Sequence, residues 1–142
     1  MECEFPSISA GREQIEAIFT KTKTIAVLGL SPKLEKDSYK VAKYLKEQGF
    51  KIIPVYPEKE EILGEKVYRS LAEIPLKVDI VLVFRKPEAL PRIVDAVLDR
   101  GDIDTLWTQI GIVHNQAAQR AQDAGLIVVQ SLCAMVEHKS LA

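Results

Sequence analysis

Four stretches dominate this chain: TIAVLGLSPK (residues 24–33), KIIPVYP (51–57), VDIVLVFRKP (78–87) and TLWTQIG (105–111). Each opens as a strand-length apolar run and closes on glycine, serine, proline, arginine or glutamine. An unbroken apolar run, with no in-out alternation, marks a strand covered on both faces, as in a parallel sheet between helices. The carboxyl ends of such strands share one edge, and that edge is where ligands sit in open α/β sheets. The four polar endings are therefore expected to meet around one cleft.

The segments between the runs support this layout. Residues 11–22 place Ile15, Ile18 and Phe19 at helical spacing. Ser38 reads as the N-cap of a helix whose buried stripe is Val41, Ala42 and Leu45, with Gly49 at its end. Pro54 cannot donate to a ladder, so its strand should carry a bulge or a weakly paired side. Gly64 marks a turn, 66–68 a short strand and 70–74 a short helix. Residues 88–100 and 115–125 read as helices around a strand at 105–111, and LIVVQ (126–130) is the last strand before a terminal turn or helix at 132–138. This alternation predicts an α/β fold: a three-layer, Rossmann-like, doubly wound parallel sheet in a single domain. Right-handed crossovers place the reversal of strand order beside strand 24–30. Residues 1–10 are expected as a flexible tail ahead of the domain at 11–142.

A length of 142 residues suits one domain with a real core. A net charge of −1 offers no general attraction to nucleic acid or to an anionic membrane, so any basic site must be local. No apolar run approaches the ~20 residues of a membrane span. The amino terminus lacks the basic and apolar regions of a secretory signal. Cys3 and Cys133 have no ligand spacing, which fits a reduced cytoplasmic protein.

Particular residues then stand out at the strand ends. Gly29, Leu30, Ser31 and Pro32 form a loop in which backbone N–H groups and a hydroxyl can meet a phosphate. The following helix start, Lys33, Lys36 and Lys40 add positive potential. Residues 33–51 hold six lysines against three acids. Val55, Tyr56 and Pro57 form a rigid, partly apolar wall for a base or ribose. Phe84 offers an apolar lining, and Arg85 can meet a phosphate with two parallel hydrogen bonds. Gln109, Gly111 and Ile112 end the next run, and the Gln109 amide both donates and accepts. Trp107 reads as core. The dinucleotide fingerprint G-x-G-x-x-G is missing, since Gly29 is followed by Leu30, Ser31, Pro32, Lys33 and Leu34. No Walker lysine motif and no metal-ligand cluster is present. His114 lies close to the expected cleft, His138 reads as a surface residue, and Cys133 as a buried structural one. No catalytic residue is assigned.

The runs VLGLSPKLEKDSYKVAKYLKEQGFKIIPVYP, LGEKVYRSLAEIP, VDIVLVFRKPE, LWTQIGI and AGLIVVQSLC, in this order, resemble the single-domain CoA-binding proteins. That family is similar to the CoA-binding domain of the succinyl-CoA synthetase α subunit. The resemblance covers residues 12–138. It implies a Rossmann-like domain holding coenzyme A or an acyl-CoA in the cleft. Loop 29–32, Lys33 and Lys40 would face phosphates, and Val55, Tyr56 and Pro57 would flank the nucleoside. Phe84 and Arg85 would line the path of the cofactor, and 109–112 would close the far side. Two motifs depart from the family pattern. Tyr56 stands where Pro-Val-Asn-Pro has asparagine, and Gln130, Ser131, Leu132, Cys133 and Ala134 replace an Asp-Arg-Cys-Pro motif. The ligase and grasp domains of the synthetase are missing, so its chemistry is not implied.

Three readings follow. The first is a CoA-binding carrier, sensor or regulator whose partner is the small-molecule ligand rather than nucleic acid or membrane. The second is a nucleotide-dependent enzyme, an NAD(P) oxidoreductase or an acyl-transfer catalyst using His114 or Cys133. The third is an interaction protein with a degenerate cleft and a protein partner of unspecified kind.

Overall fold

The computed structural model describes residues 5–141. Helix α1 (Arg12–Lys21) precedes strand β1 (Thr24–Leu28), helix α2 (Asp37–Glu47) and strand β2 (Lys51–Val55). A hairpin of β3 (Glu61–Ile62) and β4 (Glu65–Lys66) and a 3-10 turn (Leu71–Glu73) lead to β5 (Ile80–Val83). Then come α3 (Leu90–Arg100), β6 (Thr105–Thr108), α4 (Asn115–Asp123), β7 (Ile127–Val129) and α5 (Ala134–Ser140). The main sheet is parallel throughout, in the order β2-β1-β5-β6-β7.

The unbroken apolar runs have the layered surroundings they demand. On one face, Ile25, Val27, Ile52 and Leu82 pack with Ile15, Ile18 and Phe19 of α1 and with Val41, Ala42 and Leu45 of α2. On the other, Ala26, Ile53, Val81 and Leu106 pack with Val94 and Val97 of α3 and with Ala117, Ala118 and Ala121 of α4. Trp107 is fully buried, and its indole N–H donates to the carbonyl of Leu132 at 2.8 Å. The α/β, Rossmann-like, doubly wound expectation holds. The order reverses at β1, whose chain continuation β2 lies on one side while β5 lies on the other.

Register decides the geometry of the site. Leu28 is level with Val55 on one side and Val83 on the other, and Val83 is level with Thr108. Four strands thus stop in one row. The first residues beyond them continue the ladder: Gly29 N–H donates to the Val55 carbonyl (2.9 Å), Phe84 N–H to Leu28 (2.9 Å) and Gln109 N–H to Val83 (3.3 Å). The row spans three strand spacings, about 14 Å.

Pro54 lies on the outer strand β2, whose full partner is β1. On its other side a single bridge joins Val55 to Tyr68. The 61–66 hairpin turns through Leu63 and Gly64, both at positive φ (56° and 73°), the geometry of a tight two-residue connection.

Three expectations need correction. Ser38 is not the N-cap of α2. Lys36 holds that position, and Ser38 lies one residue inside the helix start, where its hydroxyl accepts from the Ser31 N–H at 3.0 Å. A serine near a helix start can serve the preceding loop as well as the helix, and here the loop takes it. Residues 5–10, expected as a loose tail, are fastened. Ser7 N–H donates to Asn115 Oδ1 (2.8 Å), Asn115 Nδ2 donates to the Phe5 carbonyl (2.6 Å), and Ala10 N–H donates to the Val128 carbonyl (2.8 Å). Residues 1–4, including Cys3, lie outside the described residues. His138, expected at the surface, is half-buried. Its Nδ1 is 2.7 Å from the Tyr44 hydroxyl, and its ring meets Phe19 and Phe50 edge-on at centroid distances of 5.1 and 5.6 Å. The box joins α5 to α1 and α2.

Candidate functional site

The β1 loop depends on one glycine. Gly29 has φ +85°, and a Cβ there would lie 2.8 Å from the Phe84 carbonyl oxygen and 3.3 Å from Arg85 Nε. Backbone of the β1 loop therefore touches backbone of the β5 loop, and a side chain at 29 would push them apart. This contact is the switch point of the sheet, where open α/β folds leave a crevice.

Beyond Gly29, Leu30 turns wholly inward (0% exposed), so its side chain belongs to the core and its backbone alone is offered to the cleft. Ser31 Oγ accepts from the Lys33 N–H at 3.1 Å, which folds 31–33 into a small turn. Pro32 is half-buried, and Lys33 and Lys40 are exposed. No side chain caps α2, so the first-turn donors of this helix point out beside the loop. Among the described residues, Lys33, Lys36, Lys40 and Lys43 make no ion pair. Lys46 and Lys51 of the same lysine-rich stretch are committed to Glu65, at 3.3 and 3.5 Å.

Val55 is buried at the end of β2, Tyr56 is half-buried and Pro57 exposed. Tyr56 N–H donates to the Tyr68 carbonyl (3.0 Å), and Arg69 wraps the segment by donating to the carbonyls of Tyr56, Glu58 and Lys59 at 3.0, 3.1 and 2.7 Å. Phe84 is half-buried and Arg85 exposed. Leu28, Val55 and Arg85 line an open groove of about 540 Å³ together with Arg69, Leu71, Lys86, Glu88, Arg92, Ile93 and Ala96. Sequence reasoning missed Arg69, Lys86 and Arg92. Arg92 had no signal, since it is an ordinary exposed helix position until the fold brings 69–71 opposite α3.

The far side is used differently. Gln109 is buried (7% exposed), and its side-chain oxygen accepts from Ala134 N–H, capping α5. Gly111 N–H donates to Ser131 Oγ at 3.0 Å, and Ile112 gives its carbonyl to the Thr108 hydroxyl at 2.6 Å. These three residues share the carboxyl edge with the rest but lie outside the groove lining. Gln130 is almost fully buried. Its amide accepts from His114 N–H (2.9 Å) and donates to the Ile8 carbonyl (2.8 Å) and Asn115 Oδ1 (3.1 Å). His114 Nδ1 accepts from Ala117 N–H at 3.1 Å as the N-cap of α4. Cys133 is buried at the start of α5. Among the described residues, no group of three or more His, Cys, Asp and Glu side chains is placed to hold a metal ion. No helix among the described residues is long and apolar enough to cross a membrane.

A second groove, of about 460 Å³, lies at the amino ends of the strands, lined by Ile18, Lys21, Thr22, Asp79, Asp104 and Gly125 among others. Its acids serve the fold. Asp79 accepts from the N–H groups of Lys23 and Thr24 (both 2.9 Å), and Lys77 bridges Asp79 and Asp104 at 2.7 and 3.2 Å. Burial pushes the Asp79 carboxyl up, yet the hydrogen bonds from Lys77 and the two backbone donors outweigh it and leave the group below its ordinary value. The carboxyl-edge groove is the stronger ligand candidate, because Arg85, Lys86 and Arg92 in its lining have no hydrogen bond or ion pair among the described residues, Arg69 alone being committed to backbone.

The model for a CoA-binding domain matches residues 23–139. The chain is 39% identical to the uncharacterized protein YneT of Bacillus subtilis over 127 residues, 89% of this chain and 93% of that one. A hypothetical protein of Pyrococcus horikoshii, solved as a structure, superposes with a TM-score of 0.90 at 39% identity, covering 99% of both chains. The α subunit of the ADP-forming acetate–CoA ligase II of Pyrococcus furiosus is 44% identical over 66 residues, 46% of this chain and 14% of that subunit. With a row of strand ends, a glycine-dependent crevice and a family model matched across most of its length, this chain belongs to the CoA-binding domain family.

Proposed function

We propose that this protein binds coenzyme A or an acyl-CoA along the carboxyl edge of its sheet and acts as a carrier, sensor or regulator. The observation that carries the reading is the close backbone contact at Gly29. It holds the β1 and β5 loops around one crevice, with uncapped helix donors and unpaired lysines on one side and Arg85 on the other. A pyrophosphate fits such a place, because backbone N–H groups, a helix amino end and mobile cations all favour an anion.

The other candidate residues take roles along the same row. The Leu30 N–H, the first-turn N–H groups of α2, Lys33 and Lys40 would hold the pyrophosphate, with Gly29, Ser31 and Pro32 shaping the loop around it. Val55, Tyr56 and Pro57 would flank the nucleoside. Phe84 and Arg85 would guide the pantetheine arm and phosphates past the switch point. Gln109, through its backbone, and Gly111 and Ile112 would border the thiol end. The row of about 14 Å is long enough for the nucleotide and the start of the arm. His114 and Cys133, the side chains the catalytic reading named, are engaged in capping α4 and in the core.

Calorimetric titration of the full chain with CoA tests the reading, with native mass spectrometry of the purified protein beside it. Saturable binding at submillimolar CoA is expected. A cleanly folded protein with no saturable binding in that range refutes it.

A further inference from the structure

The carboxyl edge carries two cationic places, one on each face of the sheet. The first is the β1 loop with α2. The second is the groove between the 69–71 segment and the amino-terminal half of α3. Arg85, Lys86 and Arg92 line this groove and are exposed, and their side chains have no hydrogen bond or ion pair among the described residues. The lining adds one acid, Glu88, against them. Like charges gathered on low-dielectric walls repel one another and focus an attractive field on an anion.

The same groove has an apolar floor of Leu28, Val55, Leu71, Ile93 and Ala96. A flat base can lie on such a floor while a phosphate meets the cations at the rim. The two places abut, since the Cβ position of Gly29 is 3.3 Å from Arg85 Nε. A ligand with one continuous run of phosphates fills one of them. A ribose phosphorylated at both the 5′ and 3′ positions fills both.

We propose that the Arg85–Lys86–Arg92 groove receives the 3′-phosphate of the adenosine end, so that the protein selects 3′-phosphorylated adenine nucleotides over those that lack this group. This specificity rests on the CoA reading above. It assigns separate work to the two cation clusters: α2 and its lysines retain the pyrophosphate, and the α3 groove discriminates.

Calorimetry with CoA and with 3′-dephospho-CoA tests the proposal. The unmodified chain is expected to bind CoA about tenfold more tightly, the gain from charge-assisted hydrogen bonds to one phosphate. In the combined Arg85→Gln, Lys86→Gln, Arg92→Gln variant, the preference for CoA over 3′-dephospho-CoA is expected to disappear, and the ratio of the two affinities is the readout because Arg85 also borders the crevice. The single Arg92→Gln variant, on an exposed helix position, should lose about threefold for CoA alone, and it serves if the combined variant melts early. Equal affinity of the unmodified chain for both ligands overturns the specificity and leaves CoA binding standing. A folded combined variant that still prefers CoA overturns the assignment to this groove. Failure to bind either ligand removes both.

Discussion

The two edges of the sheet carry grooves of similar size, about 540 and 460 Å³, and treat their charges in opposite ways. At the amino edge, Asp79 and Asp104 share Lys77, and Asp79 also holds the first N–H groups of β1. At the carboxyl edge, Lys33, Lys36, Lys40, Arg85, Lys86 and Arg92 have no ion partner among the described residues. Fold stability explains the first arrangement, because paired groups anchor strand starts. It does not explain the second, where repulsion among cations is tolerated. The difference separates charge tied into the fold from charge with no ion partner among the described residues.

Substitutions at the two edges should therefore part company. The largest effect is expected at Gly29. A Gly29→Ala change meets both the positive φ and the Phe84 carbonyl at 2.8 Å, so it should cost about 2 kcal/mol or more in urea unfolding and abolish CoA binding. If the variant kept both stability and affinity, the close contact would not organise the cleft.

Next comes Asp79→Asn at the amino edge. Loss of charge-assisted hydrogen bonds to two backbone donors and Lys77 should cost about 1–3 kcal/mol at neutral pH, with CoA affinity unchanged. Asp79 sits below its ordinary value in the folded chain, so its ionised form stabilises the fold above the unfolded value of about 3.9. That contribution disappears as pH falls through the lower folded value. Thermal melts of both proteins between neutral pH and strong acid should converge in the acid range, and a constant gap would contradict the assignment.

Removing Lys33 and Lys40 together, each to alanine, should leave stability within about 0.5 kcal/mol while weakening CoA about tenfold. The loss should be greater at low salt, where attraction is least screened. An unchanged dissociation constant would take both lysines out of the site. The smallest effect is expected at Lys46→Ala. Its contact with Glu65 is partly exposed, so a change of about 0.5 kcal/mol in unfolding, with no change in CoA affinity, would mark it as a fold charge.

Much of the architecture was legible because its signal is local. TIAVL, IVLV and TLWT are buried on nearly every residue, and their unbroken hydrophobicity announces it. Pro54 announced a strand with one weak side, and β2 is the outer strand. What escaped depends on contacts distant in sequence. Ser38 reads as a cap until Ser31 is seen to donate to it. His138 looks like a polar residue near a terminus, but Phe19, Tyr44 and Phe50 arrive from two other helices and the loop before β2. Gln130, a departure from the family motif, has its amide filled by Ile8, His114 and Asn115. Arg92 gains meaning from the 69–71 segment across the groove. A strand needs its own residues to declare itself, whereas a site needs its neighbours.

The fastening of residues 7–10 along β7 has a counterpart at the opposite margin, where Tyr68 and Pro54 close the flank of β2. Outermost strands are open templates on which a second chain can continue the ladder. Here one template is covered by the chain's own leading segment, and the other combines a proline with a single bridging residue. A strand added at either margin would first have to displace these contacts.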